Sequence, residues 1–349
     1  MRTVAVVMGG ASSEHEVSLS SGREAYKALD RRRYRPVDVV IERDGCWRVD
    51  GIRRGGALEG AAALRDLGCE IALLMLHGTN GEDGAIQGFF ETAGIPYTGS
   101  GVGGSALAWD KIAAKRLAAT AGIEVARDLV LPPATADDVP RTLGFPVFVK
   151  DPCGGSSLEV RPARDADELR RVIAGLGGRR LLVEAAVKGR ELTVPILDDG
   201  DGVPQPLPVI EIRSKGGFFD YENKYTPGVA EEIVPAPVPP PVSRRVEEAA
   251  LRVHRLLGLH AMSRSDFILK DDGTPVFLEV NTIPGMTPNS LLPKAAAAAG
   301  IAFPEVLARL LESAGPRATM DRVWNASSGR SGGRSTGSST APTAGRSSS

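Results

Sequence analysis

Residues 264–281 read RSDFILKDDGTPVFLEVN, the pattern of two β-strands closed by a tight turn. Asp272-Gly273 between the apolar runs 265–269 and 276–280 is a strong hairpin signal, because such a turn needs residues that tolerate positive φ. Side chains alternate between the faces of a strand, so Glu279 and Asn281 point the same way, with Asp266 on the facing strand. Three oxygen donors can therefore converge with no soft ligand among them. That set suits magnesium, which takes few carboxylates and keeps places for water and phosphate. The alternative is a solvated polar face on a hairpin edge. Phe277, Leu278 and Val280 weigh against it, since an unpaired charge among apolar neighbours is costly.

Working outward, the pattern predicts a helix over 243–257 with Gly258 as its C-cap, preceded by a strand at 207–212 and a polar loop. Two helices, 289–299 and 304–314, follow the hairpin. Upstream, a helical stretch over 106–123 leads to FPVFVK at 145–150, a Gly-Ser loop and a strand at 158–161, joined as an antiparallel hairpin. A helix at 166–176 and strands at 180–184 and 191–197 come next. At the start, TVAVVM (3–8) is a continuous β-branched run ending at Gly9-Gly10, as a buried parallel strand does at its turn. Runs at 35–41 and 71–76 alternate with helical patterns from near Ser18 and over 82–93, which gives βαβ order. The expected fold is α/β, becoming α+β in its later part. An open parallel-sheet domain spans 1–101, a central subdomain 102–203, and a last domain with the candidate metal site 204–318. Ligands of open α/β sheets bind beyond the carboxyl ends of the strands, where the loops 9–16 and 77–84 lie. The Ser/Gly-rich segment 319–349 carries little that could anchor a core and is expected to be a disordered tail.

The length of 349 residues accommodates two or three such domains. With 42 Lys and Arg against 43 Asp and Glu, there is no positive field to hold a nucleic-acid backbone. Three cysteines, Cys46, Cys69 and Cys153, without a CxxC spacing argue against a disulfide framework and for a reducing compartment. The N-terminal apolar run is too short for an export signal and no run is long enough to span a membrane, so a cytoplasmic protein is expected. Aromatics are only 5% of the chain, so the core must be built from aliphatic residues.

A magnesium site of this kind implies a nucleotide, yet no GxxxxGK[ST] loop and no GxGxxG after the first strand is present. Gly154-Gly155-Ser156-Ser157, shortly after Lys150, offers backbone N–H groups, hydroxyls and a cation instead. The same loop also reads as a plain turn.

Taken together, GGASSEHEVSLSSG (9–22), LHGTNGEDGAIQGFFETAGIPYTGSG (76–101), FPVFVK with GGSS, FFDYENKYTPG (218–228), SRSDF (263–267) and FLEVNTIPGMTPNSLLP (277–293) resemble the D-alanine:D-alanine ligases, an ATP-grasp family. The resemblance implies a three-domain ATP-grasp ligase that joins two D-alanines through an acyl phosphate for peptidoglycan precursors. It implies that Asp266, Glu279 and Asn281 hold two Mg2+ ions, with Mn2+ also acceptable. It further implies that Lys111, Lys150 and Lys224 contact ATP phosphates with Ser157 in the same site, and that Glu184, Val187 and Glu191 line the adenosine. Arg264 and the Gly285 N–H match the groups that stabilise the oxyanion, where a preorganised donor is worth about 3 kcal/mol. Glu14 would bind the first substrate's ammonium near His77, and Ser290 and Leu291 the second substrate's carboxylate. On its own Glu14 also reads as a carboxylate answering a helix dipole, and His77 as a structural histidine. Tyr225 would tie a lid over 214–233 to Ser156 and Glu14, excluding water from the acyl phosphate. A homodimer is a further expectation.

Two positions depart from the family pattern: Asp151 follows Lys150 where Pro is usual, and Glu159 replaces a usual Gly. Turned inward, each would cost roughly 4 kcal/mol against phosphate, so both are expected to point away. They keep two alternatives open, an ATP-grasp amide ligase with other amino-acid specificity, including a D-Ala-D-Ser type, and an inactive nucleotide-binding paralogue.

Overall fold

The computed structural model describes residues 1–154, 160–177, 179–214 and 230–314. Of the expected site residues, Ser156, Ser157, Lys224 and Tyr225 lie outside them, as do Glu159 and the segment 319–349.

The first apolar run forms β1 (Arg2–Gly9), followed by α1 (His15–Ala28), β2 (Tyr34–Ile41), β3 (Trp47–Val49), β4 (Ile52–Gly55), α2 (Ala57–Asp66), β5 (Ile71–Leu74) and α3 (Ala85–Ala93). The sheet order is β4-β3-β2-β1-β5, with β1 parallel to both β2 and β5. β3 and β4, which the sequence reading did not place, extend it antiparallel. These strands are too short to show alternation, and the turn between them is carried by Asp50 and Gly51, both at positive φ. α2 lies on the buried Trp47 indole: a Cβ on Gly60 would sit 2.4 Å from that ring, so only glycine admits the approach.

The expected helix over 106–123 is two helices, α4 (Val102–Trp109) and α5 (Lys111–Thr120). Asp110 breaks the run, leaving helical geometry so that its carboxylate accepts the N–H groups of Ile112 and Ala113 at 2.9 and 3.1 Å. Then come β6 (Glu124–Val125), β7 (Asp128–Leu131), α6 (Val139–Thr142), β8 (Val147–Lys150), β9 (Arg161–Ala163), α7 (Ala166–Gly175) and β10 (Leu181–Ala185). β7, β10, β8 and β9 make an antiparallel sheet around an aliphatic core of its own; β8 and β9 pair antiparallel as expected, but β9 starts at Arg161, where the expected strand 158–161 ended, and 158–159 lie outside the described residues.

The remaining elements are β11 (Arg190–Asp198), β12 (Pro204–Pro206), β13 (Ile210–Ser214), β14 (Ala230–Ile233), α8 (Pro240–Leu256), β15 (Met262–Leu269), β16 (Pro275–Asn281), α9 (Leu291–Ala298) and α10 (Phe303–Ser313). They form a seven-stranded sheet ordered β14-β13-β11-β15-β16-β6, with β12 on β11. Thus β6 and β11, which sequence reading placed in the central subdomain, belong by their hydrogen bonds to the last sheet. α10 returns to the first sheet: Leu310 and Leu311 share a core with Val4 and Ile71, and Arg2 Nη1 donates to Leu311 O at 3.4 Å. Gly258, at positive φ after α8, is the expected cap. Among the described residues no single helix is long and apolar enough to cross a membrane.

Candidate active site

β15 and β16 pair with Arg264 opposite Asn281 and Asp266 opposite Glu279; one residue on, Phe267 faces Phe277, so Leu278 is left over as a bulge. Strict alternation would put Phe277 on the face of Glu279 and Asn281. The bulge turns it into the core instead, where it meets Phe267 at a ring separation of 5.8 Å. The polar face is thereby kept for Arg264, Asp266, Glu279 and Asn281.

On that face Arg264 clamps Asp266 through Nε and Nη2, both at 3.1 Å, and Asp266 also accepts the Thr193 hydroxyl from β11. Burial alone would lower the Arg264 pKa, but Asp266, Glu279 and Glu82 outweigh it and keep the guanidinium charged. Burial alone would likewise raise Glu279. Lys111, Lys150 and Arg264 win, and its pKa is lowered to about 2, so the carboxylate is ionised. Asn281 Oδ1 accepts the Ile283 N–H at 2.9 Å. Asp266, Glu279 and Asn281 thus offer hard oxygen donors of the kind Mg2+ takes. Among the described residues no group of three His, Cys, Asp or Glu side chains is placed to hold a metal.

The cations arrive from α5 and β8. Lys111 and Lys115 are four residues apart and so share one helix face. Lys111 Nζ donates to Gly154 O at 2.7 Å and lies 3.3 Å from Glu279, while its backbone N–H donates to Pro152 O. Lys115 is fully buried, against Glu184 of β10, Asp128 at 3.3 Å and Ala126 O at 3.1 Å. Lys150 takes the other Glu184 oxygen at 2.5 Å. Burial would raise Glu184, yet Lys150 and Lys115 hold its pKa below the usual carboxylate value. Asp151 accepts the Cys153 N–H at 2.9 Å and faces Arg179 at 3.6 Å.

A third group comes from the loops beyond β1 and β5. The Ser12 hydroxyl donates to His77 O at 2.7 Å, joining them. Glu14 precedes α1 without capping it; its carboxylate lies against Gly78, where a Cβ would come within 2.8 Å of Oε2. The loop after β16 is held by three N-terminal groups. Glu82 accepts N–H groups from Gly78 at 2.7 Å and Ile283 at 3.4 Å, His77 bonds the Ile283 backbone, and Ser21 Oγ accepts the Met286 N–H while contacting His77 Nε2. Burial drives the His77 pKa down to about 4, which makes it neutral, and pushes Glu82 up to about 8, with Glu14 adding to the rise. Gly285 lies against Ser290, whose hydroxyl accepts the Thr287 N–H at 3.1 Å; Ser290 and Leu291 open α9 as expected.

Glu191 shares the Thr193 face of β11, and Val187 lines a cavity of 610 Å³ with residues 124–127 and 270–272. The structure therefore brings Lys111, Lys150, Glu184, Arg264, Asp266, Glu279 and Asn281 into one cluster, and Glu14, His77, Gly285 and Ser290 into a second beside it. Sequence reading missed Ser21, Glu82 and Lys115. Ser21 and Glu82 stand inside the segments 9–22 and 76–101, and Lys115 is a lysine among the buried positions Ile112, Ala114 and Ala118 of α5, a signal in itself.

Comparison with known proteins gives consistent likenesses. The family profile described as D-ala D-ala ligase N-terminus matches residues 3–65 and 57–100, and that described as D-ala D-ala ligase C-terminus matches 120–312. A D-alanine–D-alanine ligase of Desulforudis audaxviator is 44% identical over 324 residues, covering 91% of this chain and 100% of that protein. The crystal structure of D-alanine–D-alanine ligase from Bacillus anthracis complexed with ATP has a TM-score of 0.74 at 33% identity, covering 90% of this chain and 97% of that one. A D-Ala:D-Ser ligase from Enterococcus faecalis has a TM-score of 0.75 at 29% identity, covering 89% and 98%.

Proposed function

We propose that this chain, which belongs to the D-alanine–D-alanine ligase family, uses ATP to join two D-alanines through an acyl phosphate. The observation that carries the reading is the polar face kept by the Leu278 bulge, where an Arg264–Asp266 clamp stands next to ionised Glu279 and the lysines of α5 and β8. The product would serve peptidoglycan precursors in the cytoplasm.

In this account Lys111 and Lys150 receive ATP phosphates, exchanging their present carboxylate partners for them. Adenosine lies along Glu184, Val187 and Glu191, with Glu184 acting through Lys150 because its own oxygens are taken by lysines. Asp266, Glu279 and Asn281 would hold Mg2+, which neutralises charge building on the phosphates. Glu14 accepts the ammonium of the first D-alanine. The carboxylate of that D-alanine takes the γ-phosphate, the amine of the second attacks the carbonyl carbon, and phosphate leaves. Arg264, held rigid by Asp266, and the Gly285 N–H stabilise the oxyanion between those steps. Ser290 and Leu291, at the start of α9, receive the second carboxylate. Ser156, Ser157, Lys224 and Tyr225 complete the nucleotide site and its lid in this reading.

The test is phosphate release from ATP with Mg2+, screened over D-alanine, D-serine, D-lactate and L-amino acids, with product mass. D-alanine-dependent release with a D-alanyl-D-alanine product is expected. Turnover only with other acids moves the proposal to a ligase of different specificity, and none at all to a nucleotide-binding protein without activity.

A further inference from the structure

Among the described residues Lys115 pairs with Glu184 and Asp128 rather than with the hairpin carboxylates, and it is more deeply buried than Lys111, Lys150 or Arg264. Its side chain has no exposed surface, and its three donors meet Glu184, Asp128 and Ala126 O. Burying an ammonium is costly unless it is paired and hydrogen-bonded. Asp128 is independently satisfied by Arg116, through two bonds of 2.9 and 2.6 Å. Glu184 is different: one of its oxygens faces Lys115 and the other Lys150. Two cations therefore share one buried carboxylate, and of the two Lys150 is the less buried, at the end of β8 and shortly before the Gly-Ser segment in sequence.

We infer that Lys115 is a positioning residue of the nucleotide site, keeping Glu184 balanced so that Lys150 can leave that carboxylate for a phosphate. The inference rests on the reading of Lys150 as a phosphate ligand. With Lys115 present, moving Lys150 onto a phosphate leaves Glu184 still paired. Without it, the same move strands a carboxylate that is only 2% exposed, so Lys150 stays where it is and the nucleotide loses its cation. Spacing explains why the fold can do this. Lys111 and Lys115 are one helical turn apart on α5, so one helix delivers a cation to Glu279 and another to Glu184.

The test is a double-mutant cycle read as the Kd of the β,γ-imido analogue of ATP with Mg2+, by calorimetry, alongside the KM values for ATP and D-alanine. Lys115→Met should weaken analogue binding roughly tenfold or more, raise the KM for ATP and leave that for D-alanine within about threefold, since the second group of residues is untouched. In a Glu184→Gln background the same substitution should cost less than about threefold, because no charge remains to be balanced. Lys115→Arg, which keeps the charge, should bind the analogue more tightly than Lys115→Met. A folded Lys115→Met protein with unchanged affinity overturns the inference, and so does an equal loss in both backgrounds. Should Lys115→Met not fold, Glu184→Gln and Lys115→Met/Glu184→Gln decide alone: equal Kd values support the inference and a tenfold gap overturns it. Lys150→Met separates this from the reading beneath it, for unchanged affinity in that variant removes Lys150 from the phosphate site whatever Lys115 does.

Discussion

Replacing Gly285 by alanine probes the oxyanion assignment through one contact. A Cβ there would lie 2.7 Å from Ser290 Oγ and 3.3 Å from Ser290 Cβ. The first separation is too short to persist, and the hydroxyl cannot simply swing aside, because it accepts the Thr287 N–H at 3.1 Å and meets the Thr287 hydroxyl at 2.8 Å. Either Ser290 gives up those bonds, at about 1 kcal/mol each, or the 285 backbone shifts. Both displace the loop that is meant to present an N–H to the oxyanion. A misplaced donor of that kind costs about 3 kcal/mol of transition-state stabilisation, or roughly 100-fold in kcat. The clash is local and the loop remains pinned at Ile283 and Met286, so the fold should lose no more than about 2 kcal/mol. Steady-state kinetics with D-alanine and thermal unfolding of Gly285→Ala therefore give a large drop in kcat, a smaller change in the KM for ATP and a modest fall in Tm. In a Ser290→Gly background the contact is gone and the additional cost of Gly285→Ala should shrink to about threefold. A single variant within about threefold of wild-type kcat, or one whose loss is the same in both backgrounds, refutes the reasoning.

Glu279→Ala should abolish phosphate release while circular dichroism is unchanged; clear residual turnover would remove Glu279 from the metal site. Because burial raises the Glu82 pKa from 4.5 to about 8, the folded chain holds a proton between those pH values that the unfolded chain has lost. Its contribution to stability is full below pH 4.5 and is lost as pH rises through 8, at up to about 1.4 kcal/mol per pH unit. Glu82→Gln should flatten that decline in Tm, and parallel pH curves would contradict the assignment. Gly60→Ala drives a Cβ against the Trp47 ring, at 2.4 Å, and should lower Tm by a few degrees for about 1 to 3 kcal/mol of overpacking. Its kcat should stay unchanged, because Trp47, in β3, packs against α2 and against Phe89 and Phe90 of α3 rather than on the polar hairpin face; a loss of activity with normal Tm would show that reasoning to be wrong.

Much of this architecture is written in local pattern. The run at 3–8, the Asp272-Gly273 turn and Gly258 after α8 each carry a signal within a few residues, and their elements form where expected. β3 and β4 were not legible, because three or four residues cannot display a period of two. The membership of β11 was not legible either: its nine apolar-rich residues would suit either sheet, and only pairing with β15 decides between them. The convergence of Asp266, Glu279 and Asn281 followed from parity, although parity alone would have placed Phe277 with them; the Leu278 bulge is a tertiary event that buries the ring. Glu82, Ser21 and Lys115 escaped for a different reason. Each acts on a group distant in sequence, at Ile283, Met286 and Glu184, and such partnerships have no signature in spacing.

The central claim is ligation through an acyl phosphate, and oxygen transfer tests it most directly. With D-alanine carrying 18O in both carboxylate oxygens, ATP and Mg2+, the account predicts that each phosphate released acquires one 18O, because the carboxylate oxygen that attacks the γ-phosphorus departs with it. D-alanyl-D-alanine formed together with unlabelled phosphate, or no D-alanine-dependent phosphate at all, would contradict it.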